Sequence, residues 1–306
     1  MPRKLTLDSL RAELSSVNNL ISSSIEAADI LGEMQFNFRK EELESKIQEL
    51  EKQHENNAKL ALFFGGKPVL GSLGINSSFA GPALDRFQDI VTKVYANIVN
   101  GELGQRGKVA FHGDTNLMVT GLAKGSFGFV LEETDNQLTD TTLKLAVESA
   151  ADILKKCGSH DEDVFEEVID DIDKRVLDSL REFFSLLDKN EANVRLVEDL
   201  KEFTLDSRSI SLAKQRIEST QIDENVDEHF VLLTGFLPEH RRFEANLPSG
   251  ESIHGTATKE AASKFFELST NKKMLQTKWK LAIQKRVFKA RNTQERVSYK
   301  LIDFIE

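Results

Sequence analysis

The stretch Asn116–Glu133, NLMVTGLAKGSFGFVLEE, constrains the fold more than any other part of the chain. It reads as a β-hairpin. Lys124-Gly125 sits where a two-residue turn needs positive φ, which glycine adopts cheaply. That turn sets Leu122 opposite Phe127, Gly121 opposite Gly128 and Thr120 opposite Phe129. One face then carries Met118, Leu122, Phe127, Phe129 and Leu131, and the other Leu117, Val119 and Val130. A ribbon apolar on both faces belongs inside a layered protein. The facing glycines predict a notch where another element approaches closely.

On either side the hydrophobic period changes. Leu7, Leu10, Leu14, Val17 and Ile21 repeat at heptad spacing, and Leu43, Ile47 and Leu50 do so again within a charged segment. Two helices folded into a coiled-coil-like hairpin, or paired with a second copy, account for both stripes. Leu60–Phe64 and Lys67–Leu70 flank Gly65-Gly66 and read as another hairpin. A helix follows, with Ser77 or Ser78 as its cap, Pro82 in its first turn, and Leu84, Phe87, Val91, Val94 and Ile98 on one face. After Glu133 the pattern is helical. Leu143–Leu154 marks one helix, Phe165–Leu187 a long one, and Val194–Phe203 a shorter one. A turn over Leu205–Leu212 and a helix capped by Ser211 complete this part.

From Glu228 the period is two. Strands are expected at His229–Leu237, Arg241–Leu247 and Glu251–Thr258, then a helix at Lys259–Leu268. Two further strands centre on Leu275–Gln284 and Val297–Leu301. Three strands, a helix and two strands fit a small OB-like barrel, and an SH3-like barrel nearly as well. The expected class is therefore α+β in three parts. These are a helical arm (residues 1–57), an α+β domain of β-hairpins and long helices (58–222), and a small β-barrel (223–306).

Composition limits the function. A net charge of −10 argues against a molecule that coats nucleic acid over its whole surface. A single cysteine, Cys157, excludes an intrachain disulfide and fits a reducing compartment. No apolar leader and no long uncharged run are present, so the expected setting is cytoplasmic, without a membrane span. The six histidines are scattered, and no metal or cofactor site is expected. Asp170, Asp171 and Asp173 do not converge on one point of a helix and read as a solvated face. Gly125–Gly128 lacks the Lys-Ser/Thr of a phosphate loop, and no Gly-x-Ser-x-Gly elbow occurs, so no catalytic residue is assigned.

The segments LALFFGGKPVLGSLGI, FAGPALDRFQDIVTKV and GSFGFVLEE are similar to those of a family of bacterial hypothetical proteins. The resemblance implies a bacterial source, an N-terminal helical hairpin and a C-terminal small barrel. It brings no activity or site residue.

The surface that invites a functional reading is basic. In an OB-like arrangement Arg241, Arg242, Lys285, Arg286, Lys289, Arg291 and Arg296 fall in or beside the two loops that flank the ligand face. The expected protein is a non-enzymatic interaction or scaffold protein. Its arm makes it a homo-oligomer, and its barrel binds a protein partner. Two alternatives stand: the basic loops bind single-stranded nucleic acid, or an enzyme site lies near the central hairpin and the loop Gly101–Asp114.

Overall fold

The structure, a computed structural model, describes residues 1–100, 113–123, 127–134, 139–270, 273–289 and 296–305; at 170, 171, 221–224, 288, 289 and 296 it describes the backbone alone. Its centre is strand β1 (Lys59–Gly66), in which every residue from Leu60 to Phe64 is buried. Side chains alternate along a strand, so unbroken burial means that both faces are covered. Strands β2 (Val69–Leu70) and β3 (Gly74–Ile75) follow as a two-stranded ladder. β4 (Met118–Ala123), β5 (Phe127–Glu132), β6 (Ala192–Glu198) and β7 (Lys201–Leu205) join β1 in an antiparallel sheet of order β4-β5-β1-β6-β7.

Leu60, Leu62 and Phe64 face the main core. There the sheet meets five helices: α3 (Ser77–Asn100), α4 (Thr142–Cys157), α5 (Glu162–Asp171), α6 (Lys174–Lys189) and α7 (Ser207–Ser219), numbered after the two N-terminal helices. Ala61 and Phe63 face the opposite way, into a smaller cluster with Ala123, Val130 and Val197, onto which Leu5 packs. Leu5 belongs to α1 (Arg3–Glu26), which pairs with α2 (Ile30–Lys52) as a helical hairpin. The chain reverses at Ala27–Asp29, with Ala28 at φ 55° and Asp29 capping α2 by accepting from Gly32 N at 3.0 Å. The root of α1 is pinned to the β6–β7 turn. Arg3 donates to both carboxylate oxygens of Asp199 at 2.5 and 2.6 Å, and Lys4 N donates to Asp199 O at 2.9 Å.

The last part is a closed barrel. It comprises β8 (Gln221–Leu237), β9 (Arg242–Asn246), β10 (Ser252–Ala257), helix α8 (Lys259–Ser269), β11 (Thr277–Lys289) and β12 (Arg296–Ile305). The order around it is β10-β12-β11-β8-β9, antiparallel except for the parallel pair β10–β12. Leu233, Phe243, Leu281, Ile283 and Leu301 fill it, and α8 closes one end by stacking Phe265 on Phe236 at 4.3 Å.

Several expectations are corrected. The central hairpin pairs in another register: a bulge between Val119 and Gly121 sets Gly121 opposite Val130, and Ala123 opposite Gly128. β4 is an edge strand, and Met118, Val119 and Leu122 are exposed, so that half of the ribbon lies outside the core. The expected turn at Lys124-Gly125 lies outside the described residues. Leu60–Phe64 does not fold back on Lys67–Leu70, because β1 takes β5 and β6 as its partners and β2 takes β3. The cap of α3 is Asn76, whose side chain accepts from Ser78 N at 3.0 Å, and Pro82 lies inside the helix. The long helix breaks at Ile172-Asp173, where Asp173 caps α6 by accepting from Arg175 N at 2.7 Å. Residues 192–205 form a strand pair rather than a helix, turning at Asp199 with φ 45°. Asp206, not Ser211, caps α7, accepting from Ser209 N at 2.8 Å.

Gly128 is required by packing across the sheet. A Cβ there would lie 2.4 Å from Phe63 Cδ1, and Phe63 is itself held beneath Arg195, whose guanidinium carbon is 4.9 Å from the ring centroid. Gly128→Val is expected to cost about 1–3 kcal/mol by overpacking, read as a lowered midpoint in urea unfolding. A change within about 0.5 kcal/mol, as at innocuous surface sites, would refute the close approach.

Candidate ligand groove on the barrel

Alternation along the barrel strands decides what the groove contains. Phe243 and Ala245 of β9 and Ile253 and Ala257 of β10 point inward and are buried. Their neighbours Arg242, Glu244 and His254 point outward and are exposed. The parallel pairing of β10 with β12 brings Gly255 opposite Tyr299 and Thr256 opposite Lys300. Only a residue without Cβ permits that approach, since a Cβ on Gly255 would lie 1.8 Å from Tyr299 O.

A groove of about 510 Å³ lies where this face meets α5, lined by Arg242, His254, Thr256, Ser298 and Lys300, with Glu167 on the opposite wall. A second hollow of about 440 Å³ shares Arg242, His254 and Gly255 with it and ends on Phe236, Leu237 and Leu275. Together they make a trough across the strands, cationic and hydroxyl-lined at one end and apolar at the other. Burial and the neighbouring Glu251 push the Tyr299 phenol up, so it enters the groove as a neutral hydrogen-bonding group. Arg241 and Arg242 are exposed and make no ion pair among the described residues, whereas Lys280 pairs with Glu228 at 2.5 Å and Lys264 with Asp303 at 3.0 Å. Arg242 thus leaves unpaired positive charge in the trough, with Arg241 beside it.

The residues expected at the ligand face divide. Arg242 lines the groove, and Arg241 stands beside it in the turn, at φ 48°. Lys285 is exposed on β11 but does not line the groove. Arg286 also lines the groove. It is 1% exposed and donates to Ile172 O at 2.6 Å, so it ties the barrel to the α5–α6 break instead of offering a free charge. Strand alternation turns it, like the buried Gln284, the opposite way from Lys285. Lys289 and Arg296 lie in facing strands, with side chains outside the description, and Arg291 lies outside the described residues. Thr256, Ser298 and Glu167 were not singled out from sequence, and His254 and Lys300 were not assigned to the ligand face. The pairing that assembles them is non-local, and only the period-two pattern hinted at their outward direction.

Other candidate centres are structural. Ser179 Oγ accepts from Lys93 Nζ at 2.5 Å and donates to Asp89 at 2.6 Å, a nucleophile–base pattern in outline, but Ser179 is 2% exposed and the contact joins α3 to α6. Beside the central hairpin, Gln88 donates to Thr115 O at 2.6 Å and accepts from Leu117 N at 3.0 Å, fixing the approach to β4. In a cleft of about 300 Å³ between α3, α4, α5 and α6, Asp152 pairs with Lys156 at 2.8 Å and Asp173 caps α6. Burial pushes the Cys157 thiol up to about 12, where it is inert. Among the described residues no group of three or more His, Cys, Asp or Glu could hold a metal ion, and no helix is long and apolar enough to cross a membrane. No protein-family model matches the chain, and comparison with curated proteins and with solved structures yields no significant similarity.

Two outcomes follow from these environments. Arg286→Leu is expected to destabilise the chain by about 1.5–3 kcal/mol through loss of a charged hydrogen bond, while Arg242→Ala stays within about 0.5 kcal/mol. Urea unfolding of both variants checks this, and equal effects would refute the assignment of Arg286 to the interior. Glu198 gives a pH dependence. Burial, with Glu148 beside it, pushes its carboxyl up to about 7. The folded state therefore holds the proton more tightly than the unfolded chain, and stability falls as pH rises from the ordinary carboxylate range through about 7. Glu198→Gln removes this loss, so its stability advantage over the parent should be larger at pH 8 than at pH 5 by on the order of 2 kcal/mol. An advantage independent of pH would show that Glu198 titrates normally.

Proposed function

We propose that the chain is a non-enzymatic interaction protein that self-associates through its helical arm and binds a negatively charged partner through the barrel. The strand order supports an OB-like barrel: a three-strand meander, a helix, and a fifth strand parallel to the third. In such barrels the second and third strands, with the loops after the first and fourth, make the ligand face. Here these are β9, β10 and residues 238–241, while residues 290–295, after the fourth strand, lie outside the described residues. The observation that carries the reading is the trough on that face, with Arg241 and Arg242 free of ion pairs among the described residues and hydroxyls at Thr256 and Ser298.

Single-stranded nucleic acid is the second reading. A guanidinium beside hydroxyl donors suits phosphate oxygens, and the apolar end at Phe236 and Leu275 suits an unstacked base. Against it, the exposed aromatics Phe230 and Phe266 lie outside the trough. Fluorescence anisotropy of the full chain with an oligothymidylate and with an acidic peptide, at low and high salt, separates the two. Binding that falls steeply with salt and drops at least about tenfold in Arg242→Glu is expected for the true ligand class. Binding of the peptide alone removes nucleic acid, and binding of neither overturns the barrel assignment.

A further inference from the structure

The arm's heptad seam is used up within the chain. Leu7, Val17 and Leu43 are buried, and α1 and α2 lie along each other. α2 nevertheless carries a second apolar row. Ile30, Leu31, Met34 and Phe38 are 70, 74, 66 and 73% exposed. At about 100° per residue these positions fall within one sector of the helix. Leu43, Ile47 and Leu50, which face α1, occupy the opposite sector. A monomer rarely leaves such a patch bare.

The row's surroundings narrow its occupant. From Ala12 to Phe38 the arm has four acids, Glu13, Glu26, Asp29 and Glu33, and no Lys, Arg or His. Nucleic acid and anionic membranes are therefore repelled. The row is bounded by the chain reversal at Ala27–Asp29 on one side and by Glu41, which falls in the same sector, on the other. Its midpoint is Met34, with Ile30 four residues before and Phe38 four after. Such a row is complementary to itself when a second copy lies antiparallel. Ile30 then covers Phe38 of the other copy, Met34 meets its twin at the two-fold axis, and Glu41 projects past the opposite tip into water. A register shifted toward Glu41 sets carboxylates over apolar side chains, and one shifted toward the chain reversal leaves Phe38 uncovered. Four side chains per copy bury on the order of 1,000 Å² for the pair, the lower end of specific interfaces, where association is weak.

We infer that two copies of this chain pair antiparallel through the outer face of α2, with the two-fold axis at Met34. The inference rests on the self-association reading above and names its seam. Light scattering of the full chain across the micromolar range is expected to give a dimer. Met34→Glu and Phe38→Glu alter only exposed positions, so the fold should persist while association weakens at least about tenfold. Met34→Cys is expected to form an intermolecular disulfide on mild oxidation, and Ile30→Cys alone is not; Cys157 is buried and does not compete. A dimer unchanged in both glutamate variants would overturn this seam and leave self-association through another face. Monomer at all concentrations would overturn both readings. Loss of the dimer in the glutamate variants without cross-linking of Met34→Cys would overturn the antiparallel register.

Discussion

Everything in the α+β part follows from β1 being apolar on both faces. Leu60, Leu62 and Phe64 need one layer, and Ala61 and Phe63 need another. Fully burying a side chain of this size is worth about 1.5–3 kcal/mol, so neither face can be left to water. Five helices supply the first layer. The second is thin, and the start of α1 completes it. That is why the Arg3–Asp199 contact has consequences beyond one ion pair: it holds Leu5 against the second cluster and fixes where the arm leaves the sheet. The arm is a projection by shape and part of the core at its root.

The second junction depends on a broken helix. A continuous helix through Ile172 would have spent its carbonyl on the next turn. The Asp173 cap ends α5 instead, and the freed Ile172 carbonyl accepts from Arg286 across the barrel boundary. A buried guanidinium is tolerated only where its donors are satisfied, so the break and the arginine require each other. The same junction builds the groove, since Glu167 of α5 forms one wall and the barrel strands the other.

What could be read from the sequence was what depends on local period. The arm, α3, α4, α8 and the barrel strands declare themselves through spacings of 3.6 or 2. Residues 192–205 did not, because Val194, Leu196 and Val197 fit either period, and their strand identity comes from pairing with β1. The register of β4 against β5 was lost to a bulge that no residue pattern announces. At the candidate site Arg242 was legible as an outward residue at a strand start. Arg286 was not legible as buried: its direction follows from alternation along β11, but its partner, Ile172 O, is supplied by a helix end more than 100 residues earlier. Basic residues in a cluster therefore divided between surface and interior for reasons that lie elsewhere in the chain.

The two proposed surfaces differ in chemistry, and this bears on how copies can meet. An acidic, apolar arm tip and a basic trough with an apolar end are complementary in charge, so a head-to-tail contact between copies deserves comparison with the symmetric one. Head-to-tail contacts propagate unless they close into a ring. The acids of the arm weaken that alternative. Glu13 is already held by Arg39 at 2.5 Å, and Asp29 is committed to capping α2. Glu33 falls outside the sector of the apolar row, which leaves Glu41 at the row's end as the acid in line with it that could face Arg242. The row extends one turn to each side of Met34, with Ile30 and Leu31 before it and Phe38 after it, and the trough has one apolar end only. Self-pairing of α2 satisfies the whole row, whereas insertion into the trough satisfies part of it and leaves the rest in water, which is the physical reason to favour the closed dimer.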